Sequence, residues 1–298
     1  MELRLGTVQF GLDYGILNQK KKPFDYCVDC LDYATQNGIL DLDTAAAYGN
    51  AEEIVGAFIE KHTIGRDKLT ISSKMKPNVL DEYKPEEYEK IIENHITNQL
   101  TTLHTDYLDA YLLHSARYAK RPEIIEALTV AKRKGYAKKI GVSVYEPDEA
   151  IACIDNPLIE FTQFPYSIFD HRMKNAGVFE KAVNSKIEID TRSAFIQGLI
   201  LMNEEQVPPF LSKAKPIVAK IDTICEKFNL NRVQLAMAYV KCEKRISHLV
   251  FGVDNKEQLV EDIKLFHTTN LSEKQVIEIG KEFEGITADI VMPSLWKK

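Results

Sequence analysis

Asp43, Tyr48, Lys74 and His114 are the residues of this 298-residue chain whose types and placement could do chemistry together. A tyrosine phenol titrates near pH 10, so at neutral pH it is a reluctant proton donor until a nearby cation stabilises the phenolate left behind. Lys74 is the candidate for that cation. A lysine among apolar walls tends to lose its own proton, and Asp43 opposes this by pairing with the ammonium. Neutral His114 can donate from one ring nitrogen to a carbonyl oxygen and fix the substrate's angle. Proton donation to a carbonyl oxygen needs a partner that delivers hydride to carbon. No side chain supplies one, so a nicotinamide cofactor, NAD or NADP, is implied.

Such a set requires elements that bring it to one place. In "DLDTAAAYGNAEEIVG" (41–56) a strand ends on Asp43, and Asn50 with Glu53 three residues on reads as a helix cap, which leaves Tyr48 in the loop between. "LTISSKM" places Lys74 at the end of a second strand, and "YLDAYLLHSA" places His114 at the end of a third. The candidate strands are Arg4–Thr7, Ile39–Asp43, Leu69–Lys74, Leu108–His114, Lys139–Ser143, Ile159–Phe164, Ile187–Arg192 and Ser247–Gly252. Helical patterns at Glu52–Lys61, Pro85–Leu103, Pro122–Lys134, Asp148–Ile154, Asn175–Asn184 and Leu211–Phe228 alternate with them, and Leu271 opens a final helix. Eight such units predict an α/β chain folded as a single-domain TIM (β/α)8 barrel over residues 1–298, with the strand ends on one face. A doubly wound open sheet fits less well, because "LGTVQFGLDYG" spaces its glycines too widely for the G-x-G-x-x-G turn.

A net charge of -6 gives no overall basic field for a nucleic acid or an anionic membrane. No run approaches the roughly 18 to 20 apolar residues of a membrane span, and the N-terminus has no signal-peptide pattern, so a soluble cytoplasmic protein is expected. Five scattered cysteines suggest no disulfide framework. Cys27 and Cys30 form a C-x-x-C, but they fall at helical positions in "FDYCVDCLDYATQNG" with no second pair to complete a metal site.

The sequence resembles the aldo-keto reductase family over nearly its whole length. "DLDTAAAYGNAEE", "ISSKM", "DYLDAYLLH", "GYAKKIGVS" and "FTQFPYSIFD" are similar to that family's second to sixth strands, in order. The resemblance implies NADP- or NAD-dependent reduction of a small-molecule carbonyl, with the catalytic set on Asp43, Tyr48, Lys74 and His114. It also implies that Ser143 and Gln163 hold the nicotinamide carboxamide. "RSAFIQGL" then runs Ser193, Gln197, Gly198 and Leu199 along the pyrophosphate. "FGVDNKEQLVED" sets Gly252, Gln258 and Glu261 at the adenosine end, and Gly6 and Thr7 complete the cofactor-binding residues.

Three positions depart from the pattern. Val144 stands where Asn is frequent, and Arg192 where an aromatic ring stacks on the nicotinamide. Asp254 stands where a basic residue clamps the 2'-phosphate of NADP. A guanidinium stacks as a ring does and puts a fixed positive charge near the substrate, which suggests an anionic group on the substrate or cofactor. A carboxylate at Asp254 repels a 2'-phosphate and accepts from a ribose 2'-hydroxyl, favouring NAD, although Lys256 could supply the missing cation. Short rim loops such as "SARYAKRPE" suggest an open pocket for a small, sugar-like carbonyl, and Trp296 either closes that pocket or anchors the tail. Two other functions fit the fold: a nucleotide-sensing regulatory subunit with little turnover, and a Schiff-base enzyme at Lys74, which Asp43 opposes by keeping the amine charged. The oligomeric state leaves no mark in the sequence.

Overall fold

The computed structural model of the chain describes residues 1–62 and 64–297. Eight parallel strands, β1 (Glu2–Gly6), β2 (Asp41–Asp43), β3 (Thr70–Met75), β4 (Leu108–Leu113), β5 (Ala137–Ser143), β6 (Phe161–Pro165), β7 (Glu188–Arg192) and β8 (His248–Phe251), pair in sequence order. β8 returns to β1, with Leu5 opposite Phe251, and closes the barrel.

Alternation along each strand sorts the side chains. Leu3 and Leu5 of β1 join the core under the helices, whereas Arg4 between them points inside and reaches Asp190 at 2.7 Å. Inside the barrel, three levels follow one another. At the floor, Arg4 is surrounded by Asp41, Glu188 and Asp190, and His248 Nδ1 lies 2.9 Å from Asp190. Ala110, Leu112 and Phe161 form a small apolar plug above it, with the Arg4 guanidinium over the Phe161 ring. The polar residues of the strand ends lie beyond the plug.

Helices Phe24–Gln36, Ala51–Lys61, Tyr88–Thr102, Pro122–Arg133 and Pro147–Asp155 cover the first half of the barrel. The pattern read as one helix over Asn175–Asn184 is two short ones, Arg172–Asn175 and Val178–Ala182. Gly177 separates them at φ +71°, a left-handed conformation that glycine tolerates. The helix expected from Leu211 starts at Lys215, after a 3-10 turn over Pro209–Ala214. Arg232–Lys241 and Lys256–Thr268 flank β8; the helix expected from Leu271 is Glu273–Glu282, capped by Ser272, and a short helix, Ala288–Val291, follows it.

Asn50 does sit at the cap position of Ala51–Lys61, but its side chain makes no cap hydrogen bond and accepts instead from Lys21 Nζ at 3.1 Å. Cys27 and Cys30 are buried on one helix, and burial pushes the Cys27 thiol up to about 11, which suits packing rather than redox chemistry. Among the described residues no helix is long and apolar enough to cross a membrane.

Candidate active site

The four reactive residues meet at the C-terminal mouth of the barrel. Asp43 ends β2 and is held there through its main chain: its carbonyl accepts from both the Thr7 backbone N–H (2.9 Å) and the Thr7 hydroxyl (3.1 Å). The loop that follows carries Tyr48 and packs against the turn after β1 with no space between the backbones. A Cβ at Gly11 would lie 1.7 Å from the Tyr48 carbonyl oxygen, and Gly49, at φ +57°, would meet the Gly11 carbonyl in the same way. Two glycines therefore fix the height of Tyr48 over the barrel.

Lys74 Nζ donates to both Asp43 oxygens at 2.7 Å and to the Thr44 carbonyl at 3.0 Å. These three bonds account for all its hydrogens. Its charge faces the Tyr48 ring, 5.2 Å from the centroid, so the lysine acts on the ring through space. The His114 ring meets Tyr48 edge-on, with centroids 5.8 Å apart. Behind Lys74 its carbonyl accepts from Gln99, which also bridges Ser73, Glu52 and Tyr111 in a buried network that pins β3.

Burial raises the Asp43 carboxyl, but Lys74, Gln163 and Arg4 hold it below its ordinary value. Burial lowers the Lys74 ammonium, and the carboxylate opposes this. The Tyr48 phenol is pushed well above pH 10, first by burial and then by the Asp43 charge, and Arg192 is the cation that offsets part of this rise. His114 is held at about 3 by burial and by Lys74 and Arg192, so it is neutral at physiological pH, and its Nδ1 has no partner among the described residues.

The site opens into a cleft of about 570 Å³ lined by Asp43, Tyr48, His114, Gly6, Arg192, Ser193, Gln197, Gly198, Gly252, Asp254 and Gln258. Ser143 and Gln163 are buried and do not line it, and Gln163 is joined to it through Asp43. Gln163 Nε2 donates to Asp43 Oδ1 at 2.8 Å, while Gln163 Oε1 and Ser143 Oγ are buried without a partner among the described residues. One acceptor and one hydroxyl on paired positions of β5 and β6 match the amine and carbonyl of a carboxamide, so these residues fit a nicotinamide. Five expected contacts do not line the cleft: Thr7, Ser143, Gln163 and Leu199 are buried, and Glu261 faces outward on Lys256–Thr268.

Sequence reasoning missed the outer wall of the cleft. Residues 14–19 fold back through an antiparallel bridge between Tyr14 and Gln19, and the Ile16 N–H donates to the Gln197 carbonyl at 3.0 Å. Gln9 Nε2 donates to Asp254 at 2.6 Å, and with its amide turned so that the nitrogen faces Asp254, Gln19 donates to both carboxylate oxygens at 2.9 and 2.8 Å. The segment this strap grips is strained: Ser193, Ile196 and Gln197 all have positive φ, rarest for a β-branched residue such as Ile196. Only "GLDYG", a tyrosine between two glycines, hinted at a built loop here. Trp296 lies on Phe210 and donates to the Ile290 carbonyl, while Pro293 and Ser294 rather than the indole line the cleft.

The sequence model of the Aldo/keto reductase family matches residues 2–282. The chain belongs to that family. This family member is 24% identical over 298 residues to an uncharacterised oxidoreductase, YqkF, of Bacillus subtilis, covering 92% of the chain and 90% of the relative. It is 34% identical over 150 residues to an NAD/NADP-dependent indole-3-acetaldehyde reductase of Schizosaccharomyces pombe, covering 48% of the chain and 47% of that protein. Its fold is similar to that of the holo form of aldo-keto reductase AKR11C1 from Bacillus halodurans, with a TM-score of 0.75, 18% identity and coverage of 99% and 95%. The aldo-keto reductase is an NAD(P)-dependent oxidoreductase, of a family that reduces small-molecule carbonyls.

Proposed function

We propose that this aldo-keto reductase is a carbonyl reductase in which Tyr48 gives the proton, Lys74 and Asp43 set its electrostatics, and His114 orients the carbonyl. The observation that carries this reading is the buried Asp43–Lys74 pair beneath Tyr48, beside a neutral imidazole at the cleft, with Gln163, whose Oε1 is buried without a partner among the described residues, bound to the same Asp43. The nicotinamide supplies the hydride when bound. As negative charge grows on the substrate oxygen, the Tyr48 hydroxyl transfers its proton there. The resulting phenolate lies over the ring-facing Lys74 ammonium and near Arg192. Asp43 keeps Lys74 charged through this step, and a neutral His114 donates a hydrogen bond without competing for the proton.

The adenosine end favours NAD. Asp254 lines it, and the neighbouring Asp262 is raised to about 7 by burial and by the charges of Glu261 and Asp254. Lys256 does not offset this field, because it sits over the Tyr26 ring with Asp29 at 3.9 Å. A 2'-phosphate would enter a negative region. In a fluorescence titration NADH is expected to bind more tightly than NADPH, and Asp254→Arg to reduce that preference about tenfold, the scale of a single screened charge contact. Tighter binding of NADPH by the unaltered protein would overturn the assignment.

The substrate class follows from Arg192. Its guanidinium has no carboxylate partner among the described residues; it donates only to the Val144 carbonyl, at 3.3 Å, and faces the cleft beside Tyr48 and His114. A small carbonyl compound bearing an acidic group, such as a sugar acid, satisfies it. Arg192→Leu is expected to lower kcat/KM for an α-keto acid by roughly 10- to 100-fold relative to a matched neutral aldehyde. Equal losses on both substrates would rule this class out.

A further inference from the structure

We propose that Arg192 makes the cleft discriminate between the two oxidation states of the cofactor, retaining the reduced form and weakening the hold on the oxidised one. This rests on the reading of the cleft as a nicotinamide site.

Three observations carry it. First, Arg192 is fixed in position: its guanidinium lies 4.2 Å from the Tyr145 ring centroid and its Nη2 donates to the Val144 carbonyl. Val144 directly follows Ser143, whose orphaned hydroxyl, with Gln163 Oε1, is suited to a carboxamide. Second, the positive charge is not neutralised locally. Tyr14, Tyr48 and His114 beside it are uncharged, and of the two carboxylates that line the cleft Asp43 is already bound by Lys74 and Asp254 accepts from Gln9. Third, the field reaches the reacting groups, since Arg192 lowers the basicity of His114 and of Lys74 and favours the ionised form of Tyr48.

The two forms of the cofactor share their adenosine and pyrophosphate and differ at one ring. The reduced ring is uncharged, and the oxidised ring is a pyridinium cation. A guanidinium beside that ring opposes the cation and leaves the neutral ring untouched, whereas an aromatic face there would attract the cation. Contacts of Arg192 with a phosphate would strengthen both forms alike and cancel in the ratio of their dissociation constants. That ratio therefore isolates the ring charge. The consequence for turnover is a cleft that fills with reduced cofactor and releases it after oxidation, which biases the barrel toward reduction.

The test is equilibrium binding without substrate. Dissociation constants for NADH and NAD+, and for the phosphorylated pair, are measured by fluorescence and calorimetry in the unaltered protein, Arg192→Leu and Arg192→Lys. The unaltered protein is expected to bind the oxidised form much more weakly, with the ratio falling roughly tenfold or more in Arg192→Leu, as removal of a like charge at close range requires. Arg192→Lys keeps the charge and is expected to keep most of the ratio, which separates charge from packing. Binding of both forms with the same ratio in all three proteins would overturn the inference while leaving the nicotinamide site standing. Binding of neither form by the unaltered protein would remove the site and the inference together.

Discussion

Tyr48→Phe is expected to lower kcat for carbonyl reduction by about 10²- to 10⁴-fold, the range for loss of a positioned general acid, with NADH affinity changed by no more than about twofold. The phenyl ring keeps the edge contact with His114 and the face toward Lys74, so only the proton is removed. The pH profile gives a second check. His114, at about 3, contributes no acid limb near neutrality, and the Tyr48 phenol, raised by burial, keeps its proton well beyond pH 10. The rate of the chemical step is therefore expected to be flat from about pH 5 to 9. Stopped-flow hydride transfer in the unaltered protein and the variant measures both. A variant that retained a tenth of the rate would mean that another group gives the proton.

Lys74→Met has the second large effect, on stability as well as rate. Asp43 is 2% exposed, and without its counterion it becomes an uncompensated buried carboxylate. Breaking such a pair from one side costs on the order of 3–5 kcal/mol, and roughly 5–10 °C in melting temperature for a chain of this size. The sign with pH also inverts. In the unaltered protein the Asp43 carboxyl lies below its ordinary value of 3.8, so its contribution is full above that pH and is lost on acidification. In Lys74→Met, burial raises the same carboxyl, so stability falls as pH rises through its new value, and the deficit is larger at pH 8 than at pH 5. Asp43→Asn combined with Lys74→Met removes the stranded charge and is expected to recover most of the lost stability while remaining inactive. Thermal melts of the single and double variants at the two pH values decide this. A single variant that melts with the unaltered protein would show that the pair carries no such energy.

The elements that carry the proposed reactive residues were legible because strands and their ends leave local marks. Apolar runs bounded by polar strand ends announced the parallel strands, and Asp43 stands at the end of β2, Lys74 one residue before the end of β3 and His114 one residue beyond the end of β4. The limits of some helices were not legible. Gly177 divides one pattern into two helices through a backbone angle that periodicity does not show.

The sequence by itself determined the barrel and where on it the four proposed reactive residues stand, since strand period, helix period and the order of strand ends depend on neighbours a few residues apart. Only the tertiary structure decided how the charges divide. It spends the hydrogens of Lys74 on Asp43 and Thr44, turns Lys256 toward Asp29, ties Asp254 to Gln9 and Gln19, and leaves Arg192 as a cation in the cleft without a carboxylate partner among the described residues. The physical reason is distance. Asp254 and Gln9 are 245 residues apart in the chain and 2.6 Å apart in space, and electrostatic energies follow the second separation, which closure of the barrel alone sets.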